Sequence, residues 1–144
     1  MIVLDVNLLL YAYDTKSPEH KKARIWIEHV FSGDEIIGLP WQTITAFIRI
    51  MTYPGLAEER FTIKNVLAIV DQWIEVPHLR ILAEGKDHWA QLRSMLLKGD
   101  VRGKLTMDAS LAALTIAHGG VLYTNDRDFA RFPGLRWVNP LSAA

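Results

Sequence analysis

Asp5 and Asn7 interrupt an otherwise apolar opening, IVLDVNLLLYAY, at the point where residues 2–4 read as a buried strand. An unpaired carboxylate at the end of a core strand costs several kcal/mol of desolvation unless a backbone donor, a protein cation or a metal compensates it. Three other acids fall where they can meet Asp5: Asp108 in TMDASLAAL, and Asp126 and Asp128 in YTNDRDF. Carboxylates gathered this way repel and raise one another's pKa until a cation neutralises them. With oxygen donors and no cysteine or histidine close by, that cation is expected to be Mg²⁺ or Mn²⁺ rather than zinc. Asn7 and Thr124 lie beside the acids as neutral hydrogen-bonding groups, able to orient a carboxylate or a bound water.

Each of these residues also has an ordinary role. Asp108 suits the dipole of a helix start, Asp126 suits a turn, and Asp128 can cap a short helix through Phe129 and Phe132. Asn7 and Thr124 can simply bond strand-end backbone. Asp5 is the exception, with no turn or cap evident around it. The conjunction of the four acids therefore carries the metal-site expectation. The five histidines (His20, His29, His78, His88 and His118) show no metal-binding spacing and read as surface residues.

The elements that must position these groups alternate along the chain. SPEH offers Ser17 as N-cap, Pro18 as first helical residue and Glu19 for the dipole, ahead of a stripe of Ala23, Trp26, Ile27, Val30 and Phe31 closed near Gly33. The apolar stretch EIIGL leads to Pro40. A second stripe (Ile44, Phe47, Ile48, Met51) ends near Pro54-Gly55, and a third (Val66, Ile69, Val70, Trp73) stops before Pro77. LRIL at 79–82 reads as a strand. Asp87 caps a helix bearing Trp89, Leu92 and Leu96 that ends at Gly99, and Thr106 caps another through Ala117, closed by Gly119-Gly120. VLYT at 121–124 and RWV at 136–138 are further strands. Alternation of this kind predicts one α/β domain over residues 1–144, a central parallel β-sheet flanked by α-helices on both faces. The functional crevice of such a sheet lies beyond the carboxyl ends of its strands. Asp5, Asp126 and Asp128 fall there, and Asp108 can reach it from a helix N-terminus.

Composition narrows the class further. Half of the 144 residues are apolar, enough for a proper core, and no run approaches the ~18 apolar residues of a membrane span. The absence of cysteine excludes disulfides, thiolate zinc sites and cysteine nucleophiles, and suits a reducing, cytoplasmic setting. Asp5 breaks any signal-peptide pattern at the start. Sixteen basic residues balance sixteen acidic ones, so any nucleic-acid site must be a local patch.

With the acids placed, the chain resembles the PIN-domain ribonucleases, specifically the VapC-type toxins of bacterial toxin–antitoxin pairs. The resemblance rests on IVLDVNLLLYAY, LPWQTITAFIRIMTYP, MDASLAALTIAHGGVLYTNDRDFARFPGL and the closing NPL, in order and spacing over essentially the whole chain. It implies a Mg²⁺- or Mn²⁺-dependent endoribonuclease, a cognate antitoxin and a homodimer. The family's metal-binding acids correspond to Asp5, Asp108 and Asp126, its accessory acid to Asp128, and its small polar position to Thr124. One departure stands out: Ala46 occupies the position of the usual glutamate on the helix after the second strand, which leaves the place of a second metal open. Acids repel RNA, so flanking cations must attract it, and Arg102, Lys104 and Arg127 are expected to touch phosphate, with Arg49 and Arg131 nearby.

Two other classes compete. A receiver-like regulatory module would need an aspartate ending a middle strand and a lysine ending a later one. An interaction protein that has lost catalysis through Ala46 would use the hairpin of residues 40–75, which presents Trp41, Tyr53, Leu56 and Phe61 as anchors for a partner.

Overall fold

The computed structural model describes residues 1–54 and 61–142; Gly55 and Leu56 lie outside them. Five short strands, β1 (Ile2–Leu4), β2 (Ile37–Pro40), β3 (Leu79–Leu82), β4 (Val121–Tyr123) and β5 (Trp137–Val138), form one sheet in the order β3-β2-β1-β4-β5. Every pairing is parallel, with Ile2 opposite Ile37 on one side and Val121 on the other. The chain first builds outward from β1 through β2 to β3, then returns to lay β4 on the free edge of β1. The order thus reverses between β1 and β4, which places a crevice at their carboxyl ends. No helix among the described residues is long and apolar enough to cross a membrane.

Six α-helices among the described residues cover the two faces, and β1 divides the core between them. Ile2 and Leu4 point to one side, where α1 (Val6–Tyr13), α2 (His20–Phe31), α3 (Trp41–Met51) and α4 (Ile63–Ile74) pack around Phe47 and Trp73. Those two rings meet edge to face at 4.6 Å, and Trp73 donates its indole N–H to the Tyr13 hydroxyl. Val3 points to the other side, into a cluster of α5 (His88–Lys98), α6 (Thr106–Ala117), Phe129 and Phe132. α6 closes in a left-handed turn: Gly119 has φ +66, and the N–H groups of Gly119 and Gly120 bond the carbonyls of Ile116 and Thr115. Gly120 must also stay bare, because a Cβ there would meet Val3 Cγ2 at 2.6 Å.

The structure departs from the sequence reading at several points. α1 is an unexpected helix starting directly after β1. It is apolar nearly all round, with Leu8, Leu9 and Ala12 buried and Val6, Leu10, Tyr11 and Tyr13 packed against the core, so it shows no one-sided period. α2 begins at His20 rather than Pro18. Ser17 and Glu19 bond each other in the preceding turn, and the Ser17 hydroxyl does not cap the helix. Thr106 is the first residue of α6, not its cap. On α5 the core contact is Met95, with Leu92 and Leu96 partly buried, whereas Trp89 is 67% exposed.

Candidate active site

Asp5 leaves the end of the central strand with its own N–H bonded to the Tyr123 carbonyl at 3.1 Å, extending the β1–β4 ladder by one rung. The buried Thr43 of α3 donates to the Leu4 carbonyl at 2.8 Å and so ties that helix to the same strand end. Asp5 is the N-cap of α1: its Oδ1 accepts from the Val6 N–H at 2.7 Å. The cap that local sequence did not reveal is therefore present. Its Oδ2 accepts from the Thr124 hydroxyl at 2.7 Å and from the Asn7 amide at 3.3 Å.

Thr124 is wholly buried, and its hydroxyl is used to capacity. Besides donating to Asp5 it accepts from the Asn7 amide at 3.2 Å and from the Asp126 N–H at 3.0 Å. It positions carboxylates and has no lone pair left for a water. Asn7 reaches further, taking the Asn125 N–H on its own carbonyl, while Asn139 donates to Asn125. Asp126 in turn caps a 3-10 helix (Arg127–Arg131) by accepting from the Asp128 N–H at 2.9 Å. A polar chain thus runs from the end of β1 through the end of β4 to the closing NPL segment.

Asp5 and Asp108 line one cleft of about 560 Å³, together with Val6, Gln42, Thr45, Ala46, Arg49, Ile50, Lys104 and Met107. Burial first, and then the charges of Asp5, Asp126 and Asp128, push the Asp108 carboxyl up from 3.8 to about 6, against an opposing pull from Arg131. Burial and the Asp126 charge likewise raise Asp5, against the bonds from Thr124 and Val6. Asp108 thus feels the charge of the other three acids, and Asp5 that of Asp126. The ion pairs among the described residues, Met1–Glu35 and Arg24–Glu28, include none of them.

This donor set fits a hard divalent cation: it is all oxygen, self-repelling and in no ion pair among the described residues, with Arg131 offsetting the repulsion at Asp108 only in part. Asp5 would offer the open lone pair of Oδ1, since its protein bonds occupy one site on that oxygen and two on the other. As they stand, no three His, Asp or Glu side chains among the described residues enclose an ion. The arrangement is an open cluster rather than a closed cage.

Lys104, in a 3-10 turn (Gly103–Leu105), lines the cleft; Arg102 and Arg127 are exposed and do not. Ala46 does line it, half-buried, as its place in the resemblance requires. Gln42, which bonds the Met107 carbonyl at 2.9 Å, and the Asn125–Asn139 pair were not singled out from sequence. Only the helical spacing of Gln42 to Ala46 could have flagged the first. Three histidines are half-buried, not surface residues, and bond distant backbone or side-chain atoms: His20 to Tyr11, His78 to Val30 and His88 to Ser110. Of the proposed interaction anchors, Trp41 and Tyr53 are exposed, Phe61 packs on the core, and Leu56 is outside the described residues. The receiver chemistry lacks its lysine: the later strands end at Pro40, Leu82, Tyr123 and Val138.

Residues 2–135 match the profile of the family described as PIN domain. Ribonuclease VapC33 of Mycobacterium tuberculosis is 34% identical over 141 residues, covering 98% of this chain and 99% of its own. Among solved structures, the fold matches Mycobacterium tuberculosis VapC20, a sarcin-ricin loop cleaving toxin, with a TM-score of 0.68 at 17% identity over 94% of this chain and 99% of that one. It also matches a chain of the DNA-bound VapBC from Salmonella typhimurium with a TM-score of 0.65 at 25% identity, over 96% of this chain and 97% of that one.

Proposed function

The chain belongs to the PIN domain family, among the VapC-type ribonucleases, and on that premise we propose that it is a Mg²⁺- or Mn²⁺-dependent endoribonuclease, the toxin of a toxin–antitoxin pair. The observation that carries this reading is geometric: Asp5 and Asp108 line one cleft, and Thr124 ties Asp126, with Asp128 bonded to it, to Asp5. Asp5, Asp108 and Asp126 would hold the cation, which when bound supplies positive charge where the phosphodiester becomes most negative. Thr124 and Asn7 hold the Asp5 carboxylate in one orientation, so it need not reorganise during the reaction. Asp128, exposed at the cluster's edge, is left to orient the attacking water. Lys104, with Arg102 and Arg127 outside the cleft, attracts the RNA backbone that the acids repel. A cognate antitoxin, a homodimer and a cytoplasmic setting complete the reading.

The test is digestion of a mixed pool of structured RNAs by antitoxin-free protein with Mg²⁺, Mn²⁺ or EDTA, beside Asp5→Asn. Cutting that needs metal and disappears in the variant is expected. Equal cutting by the variant would move the reaction away from these acids.

A further inference from the structure

The cleft that Asp5 and Asp108 line is also lined by cations. α3 presents Gln42, Thr45, Ala46 and Arg49 to it, one helical face with no carboxylate, and Lys104 joins them. Arg49 and Lys104 are both exposed, and neither forms a hydrogen bond or ion pair with any described residue. The last-turn position of Arg49 suits the dipole of α3. A dipole alone, however, does not require it on the cleft face of the helix, in a cleft that a second cation also lines.

Among the described residues Arg49 has no hydrogen-bond or ion-pair partner, and Ala46 offers it none. The two are three residues apart on one helix face, where an acid and a base would pair. A methyl group at 46 offers the guanidinium no partner, so its five donors stay available in the cleft. Low-dielectric walls focus such charge. The result is a cleft lined by two carboxylates that suit a cation and two cations that suit an anion.

We propose that Arg49 of α3 and Lys104 of the turn before α6 form a phosphate seat in this cleft, which takes a backbone phosphate of the RNA strand beside Asp5 and Asp108. The seat rests on the ribonuclease reading above and adds the anchoring of its substrate. The Arg49 guanidinium supplies paired N–H donors to two phosphate oxygens, and the Lys104 ammonium a point charge. Arg49 thereby holds the strand against the repulsion of Asp5 and Asp108.

The experiment is an anisotropy titration of a fluorescein-labelled unstructured RNA oligonucleotide in EDTA, where binding is read without cleavage, across a series of KCl concentrations. For single strands each lost phosphate contact lowers the slope of log K against log salt by about 0.7, which over one decade of salt is about fivefold in affinity. Arg49→Gln and Lys104→Gln are each expected to show that loss, and Arg49→Lys to retain the slope. Ala46→Glu is expected to lower the slope as Arg49→Gln does, by pairing with Arg49. An unchanged slope in Arg49→Gln with the parent's circular dichroism and melting temperature overturns the seat, as does RNA binding by the parent that ignores salt. Should Arg49→Gln fail to fold, Lys104→Gln and Ala46→Glu still decide, since both retain Arg49. The ribonuclease reading fails independently, through equal digestion by Asp5→Asn and parent with Mn²⁺.

Discussion

The Thr124 hydroxyl donates to Oδ2 of Asp5 across 2.7 Å, joining residues 119 positions apart in the chain. The same oxygen accepts from the Asp126 N–H and the Asn7 amide, so one buried hydroxyl sets the relation of two acids from neighbouring strand ends. The site is organised by a neutral group at its centre, with the charges around it.

Replacing Thr124 with Val keeps the shape but orphans the Asp126 N–H and removes one bond each from Asn7 and Asp5. Leaving buried donors unpaired costs roughly 1–3 kcal/mol. Urea unfolding of Thr124→Val should show a loss in that range, with Thr124→Ser close to the parent. A valine variant as stable as the parent would remove Thr124 from its organising place.

Asp108 makes the metal-free protein pH-sensitive. Its folded carboxyl, at about 6, binds protons more tightly than the unfolded one at 3.8. The unfolded chain therefore ionises first as pH rises, and stability falls between about pH 4 and 6, then levels. Asp5, shifted in the same direction, adds to the fall. In metal-free buffer Asp108→Asn should melt higher than the parent at pH 7 and alongside it below pH 4. A variant curve parallel to the parent's across that range would contradict the raised Asp108 carboxyl.

Divalent cation should reverse this destabilisation. A ligand at one hundred times its Kd stabilises by about 2.7 kcal/mol, which for a chain of this size is a rise of roughly 5–10 °C in melting temperature. Mn²⁺ at pH 7 is expected to produce such a rise, smaller at pH 5 where protons compete for the acids. The rise should vanish in Asp5→Asn and Asp108→Asn. An equal Mn²⁺ effect in both variants would place the ion elsewhere.

Ala46 lines the cleft shared by Asp5 and Asp108, within reach of added charge. Ala46→Glu is expected to tighten Mn²⁺ binding by calorimetry roughly tenfold, about 1.4 kcal/mol. Unchanged affinity would separate position 46 from the cation's surroundings, whatever happens to the RNA slope.

Much of this architecture was legible because its signals are local. Residues 2–4, LRIL and VLYT are apolar and bounded by turn residues, and each forms a parallel strand at or within one residue of the expected span. The stripe of Val66, Val70 and Trp73 faces the core as its spacing predicts. The Gly119-Gly120 pair closes α6 as its sequence suggests. α1 was illegible for the opposite reason: contact on several sides erases the periodicity by which a helix is read. Trp89 misled because hydrophobic type does not say which side of a helix the sheet will occupy.

By itself, the sequence determined the alternation of strand and helix and the places of four aspartates at strand and helix ends, since both follow from periods of a few residues. Strand order was a matter for the tertiary structure. Laying β4 beside β1 brings Thr124 to Asp5 and sets the charges of Asp5, Asp126 and Asp128 against Asp108. The same packing turned Arg49 and Lys104 into the cleft that those acids line. Hydrogen bonds and fields act through space, and a separation of 119 residues becomes 2.7 Å only once the sheet is assembled.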